Sequence, residues 1–225
     1  MLFLPLIALV VLCFALICYV IQYKTKMRSH CLSQVIEIQK NLVRSEESLF
    51  ALNPVAKALR LRLQLAYSAL AAAAGNPAAM ASIELEINQI ILQKKELDII
   101  QKLIIKTAKL NLDFRTNQLA FELAQTSKGM SSIWNFYIES FTNVRQSQKP
   151  QVAVVPDSPE LAPVYELAAD YKLRQTVAYH WQMCFRTKKN AQEVLKSENI
   201  FEMSCESSAE SKRGTWDILI NADKS

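Results

Sequence analysis

The first 23 residues carry no charged side chain, and all 26 Lys and Arg and all 21 Asp and Glu lie after them. From Met1 to Ile21 the chain is almost wholly apolar. A helix of about 20 such residues spans the ~30 Å hydrocarbon core of a bilayer. Tyr19 and Tyr23 stand at the end of the run, where amphipathic rings favour the headgroup region. Lys24, Lys26 and Arg28 follow as a membrane-flanking basic cluster. Pro5 falls in the first turn, where its missing N–H costs little. A cleaved signal peptide has a basic leader, a shorter apolar core and a small-residue cleavage site. Cys18-Tyr19-Val20 is a poor site of that kind, so residues 1–23 read as an uncleaved transmembrane anchor. Taken literally, three basic residues after the run place the body in the cytoplasm.

The apolar excess elsewhere is patterned. Residues 24–128 hold one glycine and two prolines and are rich in good helix formers. Gly75-Asn76-Pro77 combines a helix-ending glycine, an N-cap asparagine and a first-turn proline, and predicts a tight turn between helices. Asn53-Pro54 carries the same start signal without the glycine and predicts a kink or a short turn. Before the turn Leu32, Val35, Leu42, Leu49, Leu52, Ala56, Leu59, Leu63, Ala66 and Leu70 form one apolar stripe. After it Ile83, Ile87, Ile90, Leu97, Ile100, Ile104, Ala108, Leu112 and Leu119 form another. Two stripes joined by a short turn predict an antiparallel helical hairpin over 24–128. It reads either as a rod or as a surface that binds partner helices. Charges from 83 to 128 nearly cancel, so no one-signed face invites nucleic acid.

Beyond Gly129 the aromatic run Ile133, Trp134, Phe136, Tyr137, Ile138, Phe141 and Val144 places Ile133, Tyr137, Phe141 and Val144 on one helical face. Residues 129–149 are therefore expected as an aromatic amphipathic helix packed on a neighbouring module. Four of the seven prolines lie between 150 and 163, which reads as an extended linker. In residues 164–225 the period becomes two. Val177, Tyr179, Trp181, Met183 and Phe185 alternate with polar or small residues, as do Phe201, Met203 and Cys205, and Trp216, Ile218 and Ile220 form a third run. Lys188 to Glu198 has helical character, and Ser207 to Gly214 reads as a loop. The expected class is mainly α with a small α+β C-terminal module: a transmembrane helix, a long helical hairpin and a three-stranded antiparallel sheet.

Chemistry is sparse. Three glycines argue against most phosphate-cradling loops. His180 and Cys184 have a metal-ligand spacing on a helix, but on a strand they stand about 13 Å apart. His30 reads as an ordinary exposed imidazole, and two histidines assemble no triad. No catalytic residue, cofactor or metal is expected. Cys184 and Cys205 are a candidate disulfide outside the cytoplasm, although strand phase puts Cys184 on the polar face and Cys205 on the apolar one.

The anchor Leu2-Phe-Leu-Pro-Leu-Ile-Ala-Leu-Val-Val, followed by a long amphipathic helix and a small β module, resembles a pilin or pseudopilin. More narrowly, Phe3-Leu-Pro-Leu-Ile-Ala-Leu resembles the anchor of the tight-adherence (TadE/TadG-like) minor pilins of bacteria. The resemblance implies a body facing the periplasm, opposite to the literal charge rule. The expected function is a non-catalytic, single-pass bacterial inner-membrane protein, in which the hairpin holds the C-terminal module away from the bilayer. Its partners would be the membrane, other envelope proteins of a pilus-like or secretion-related assembly, and a second copy of itself. The alternative is a cytoplasm-facing, membrane-tethered adaptor whose hairpin recruits soluble partners.

Overall fold

The structure, a computed structural model, describes residues 3–134, 138–187, 199–212 and 215–221. It is mostly helical, with a long N-terminal helix and an antiparallel sheet built from the C-terminal half. Helix α1 spans Phe3–Ala51, α2 spans Asn53–Ala72 and α3 spans Pro77–Trp134. Within α1 an 18-residue window reaches a mean hydropathy of 2.6, and none of that window is buried by the rest of the protein. It is long and apolar enough to cross a membrane. The chain divides into two compact units, one of residues 1–39, 114–149 and 176–225, the other of residues 40–113 and 150–175.

The first unit carries a four-stranded antiparallel sheet of order β1-β4-β5-β6. Its strands are β1 (Ile138–Gln148), β4 (Val177–Thr187), β5 (Asn199–Lys212) and β6 (Thr215–Asn221). The three strands expected from period-two alternation are present. The fourth, β1, takes up residues 138–148 of the expected aromatic helix over 129–149, whereas 129–134 belong to α3 and 135–137 lie outside the described residues. Gly129 does not end α3, since one glycine costs a long helix only about 1 kcal/mol. Ile133, Tyr137, Phe141 and Val144 have the spacing of one helical face, but residues 138–148 pair along the length of β4. A ladder of backbone bonds and cross-strand contacts overrides so short a local pattern. The expected loop at 207–214 is also corrected, because β5 continues to Lys212 and pairs with β6 from Glu206↔Asn221 to Lys212↔Thr215. The helix expected at 188–198 lies outside the described residues.

The sheet is fastened to the stretch of α1 just past the apolar run. The Tyr23 ring lies 6.2 Å from that of Trp181. Cys31 is bonded to Cys205, and Gln39 Nε2 donates to the Ser207 carbonyl at 3.2 Å. These contacts set β4 and β5 beside the stretch of α1 that follows the apolar run.

In the second unit α2 and α3 pack on each other across the expected turn, while 24–39 and 114–128 of the hairpin expected over 24–128 belong to the first unit. Ala56, Leu59 and Ala66 of α2 share a core with Ile87, Ile90 and Leu97 of α3, and Arg62 meets Glu86 at 3.5 Å. Gly75 has φ +111°, a value that L side chains rarely adopt, and the Asn76 side chain accepts from Ala79 N–H at 3.3 Å. Most of the expected apolar stripe positions are buried; Ile100 is an exception and is exposed. Residues 150–163 are not a linker. Strand β2 (Val154–Pro156) pairs with β3 (Tyr165–Leu167), and Ala153, Ala162 and Val164 are buried. Residues 165–174, including β3 and the short helix α4 (Tyr171–Arg174), belong to this hairpin unit, so 164–225 is not a single module.

Candidate functional site

Each apolar stripe is interrupted in phase by polar residues, and in the second unit these hold residues 153–175. Glu46 lies four residues after Leu42 and three before Leu49, and its residue is fully buried. Its Oε1 accepts from Ala153 N–H at 3.0 Å and from Gln175 Nε2 at 2.6 Å, and its Oε2 accepts from the Tyr171 hydroxyl at 2.8 Å. Burial is the main cause that pushes the Glu46 carboxyl up to about 7, opposed by these three donors. Burial, and then the neighbouring Glu46, raise the Tyr171 phenol as well, so it serves as a donor. Through these three bonds Glu46 ties α1 to Ala153, Tyr171 and Gln175.

The loop 157–164 is clamped by the same logic. Arg60 grips Asp157 with both terminal nitrogens, at 2.7 and 3.1 Å, and Asp157 Oδ1 also accepts from Val164 N–H at 2.9 Å. Arg60's hydrogen bonds are the main reason the Asp157 carboxyl falls to about 2. From α3, Asp98 accepts from Ala162 N–H at 3.4 Å, Gln101 donates to the Pro163 carbonyl at 3.0 Å, and Lys94 reaches Glu160 at 3.5 Å. Lys94, Asp98 and Gln101 are buried. These contacts hold Ala162 at φ +52°, which costs an L residue roughly 1–2 kcal/mol.

Asn53 does not cap its helix. Leu52 occupies the N-cap position with no side-chain bond, and Asn53 instead exchanges two bonds with the Tyr165 backbone, Nδ2 to O at 2.8 Å and N to Oδ1 at 2.9 Å. Pro54 lies in the first turn, as its signal predicts. Asn53→Ala is expected to destabilise the protein by about 1–3 kcal/mol, because both Tyr165 groups lose their partner. Asn53→Asp, which keeps only the acceptor, should recover part of that loss. Urea titrations of the two variants give the comparison, and an Asn53→Ala midpoint equal to wild type rules the pairing unimportant.

In the first unit the bridge considered between Cys184 and Cys205 gives way to Cys31–Cys205. Cys205 stands opposite Tyr179 in the β4–β5 ladder, five residues and about 17 Å along β4 from Cys184. Cys205 is on the apolar face, as its phase predicts, and that face brings it to Cys31 of α1. His30 has a partner: its Nε2 lies 3.2 Å from Glu122 Oε2. The Tyr179 hydroxyl donates to the Thr116 carbonyl at 2.7 Å, and burial raises its pKa. Lys24 and Lys26, just past the apolar run, are exposed.

Among the described residues no three His, Cys, Asp or Glu side chains are grouped to hold a metal ion. The signal that marks Glu46, Lys94 and Gln101 in the sequence is a polar residue in step with an apolar stripe. It identifies the buried position but not what fills it. No family model, curated protein or solved structure matches this chain.

Proposed function

We propose that this chain is a non-catalytic, single-pass membrane protein whose folded body lies outside the cytoplasm. There it serves as a structural component of a bacterial envelope assembly. The observation that carries the reading is the Cys31–Cys205 bond, ten residues past the end of the apolar run. Disulfides persist in oxidising compartments and are rare in the cytosol. The basic cluster at Lys24, Lys26 and Arg28 argues the other way, but long C-terminal bodies translocate largely regardless of nearby charge. The polar contacts support a structural role, since they tie backbone to helix. The anchor's resemblance to tight-adherence minor pilins makes a pilus-like or secretion-related assembly the first class to test.

A periplasm-active phosphatase fused after Ser225 is expected to be active in bacterial cells. Cys205 should become alkylable in intact cells only after reduction. An inactive fusion together with a freely alkylated Cys205 in unreduced cells would overturn the reading in favour of the cytoplasm-facing adaptor.

A further inference from the structure

Helix α3 has a second apolar face. Leu85, Leu92, Ile99, Leu103 and Leu110 are 66, 58, 64, 60 and 61% exposed. At 100° per residue they fall within about 40° of one another, on the side opposite Ile87, Ile90, Leu97 and Ala108. Their steps are seven, seven, four and seven residues, so Leu92 to Leu103 and Ile99 to Leu110 each repeat after eleven. Seven- and eleven-residue repeats are the spacings at which long helices lie along one another. A solvated helix face should be polar, and this one is not.

The five side chains leave about 500 Å² of apolar surface in one strip, within the range of the largest patches on ordinary monomers, which are often functional. With the flanking stems of Asn88, Lys95 and Lys106 it approaches the ~800 Å² per partner of a standard interface. A helix carrying the same repeat over the same length matches the strip layer by layer, and α3 of another copy carries it. Lys95 and Lys106 line one edge and Glu96 the other. In a parallel pair, unlike edges face each other.

We propose that the chain self-associates through this face, α3 of one copy lying parallel to α3 of a second. The parallel direction rests on the membrane reading above, since copies anchored in one bilayer point the same way; the pairing does not. The test uses the full chain in detergent micelles, with mass measured by light scattering. Wild type is expected to be a dimer or larger at micromolar concentration. Ile99→Asp/Leu103→Asp, at positions already exposed in one copy, should weaken association at least tenfold while keeping the helical signal and the Cys31–Cys205 bond. In a Cys13→Ser/Cys18→Ser/Cys184→Ser background, Leu85→Cys should cross-link to itself. Lys109→Cys, off the face, should not.

A monomeric wild type overturns the proposal, and so does a double variant that associates as strongly as wild type. Leu85→Cys cross-linking only to Leu110→Cys overturns the parallel arrangement. If the membrane reading fails and the chain is recovered without detergent, the same mass and cross-link measurements still decide the pairing.

Discussion

Glu46→Ala is expected to destabilise the protein by about 3–5 kcal/mol, because three buried donors lose their acceptor at once. Ala153 N–H, the Tyr171 hydroxyl and the Gln175 amide have all converged on that one carboxyl. Glu46→Gln keeps the shape and one acceptor, and the Tyr171 hydroxyl can turn to accept from the new amide. It should therefore cost far less than the alanine. The two variants also separate shape from charge. The folded carboxyl titrates near 7 against 4.5 for the free group. A folded-state pKa raised in an acid means that the native protein holds a proton the unfolded chain releases. Stability from this group is full below about pH 4.5, falls as pH rises, and levels off above about 7. The total loss is roughly 3 kcal/mol. Glu46→Gln should be flat across that window, and at pH 8 should match or exceed wild type. Urea unfolding at pH 5 and pH 8 measures the difference. Equal pH slopes for wild type and Glu46→Gln would remove Glu46 as the titrating group.

Breaking the disulfide should have the second large effect. Cys31 and Cys205 are 174 residues apart in sequence. Closing a loop of that length lowers the entropy of the unfolded chain by an amount worth about 5 kcal/mol, of which native strain and residual structure typically leave 2–5. Cys31→Ser and Cys205→Ser should each lower stability by that amount, and the double variant by no more than either single one. A reductant should reproduce the loss in wild type and do nothing further to the variants. Cys184→Ser should leave the reductant effect intact. If Cys184→Ser abolished it while Cys31→Ser did not, the pairing would be wrong.

Much of the helical part was legible. The uncharged run marks an apolar helix long enough to cross a membrane, and the 3.6-residue period of Ile87, Ile90 and Leu97 marks a buried face. Gly75-Asn76-Pro77 marks the turn with its cap. These are local signals, each carried by residues within a few turns of one another. Asn53-Pro54 shows the limit. It opens a helix as expected, but the asparagine amide goes to Tyr165, 112 residues on. The prolines between 150 and 163 misled in the same way. They do favour extended chain, yet the segment is docked because Glu46, Arg60, Asp98 and Gln101 supply partners for its backbone or its Asp157 carboxylate.

β1 is hidden in the sequence for a related reason. Eleven residues from Ile138 to Gln148 carry no strict alternation, and their conformation is set by pairing with β4. Cys205 lies on the face that its phase predicts, but its partner is Cys31, not Cys184. Phase says which way a side chain points, and several cysteines lie in compatible directions until α1 is set beside β5.

The sequence by itself therefore determined an apolar N-terminal helix able to cross a membrane, the hairpin with its turn, and three of the four strands of the larger sheet. Periodicity and capping act within a few residues and can be read without knowing neighbours. Only the tertiary structure decided that Cys31 bonds Cys205, that Glu46 gathers residues 153–175, that residues 138–148 form a strand, and that α3 carries a second, uncovered apolar face. Each depends on which of several chemically equivalent groups come together, or stay apart, when distant segments meet. The energy that selects among them comes from burial and pairing across those segments.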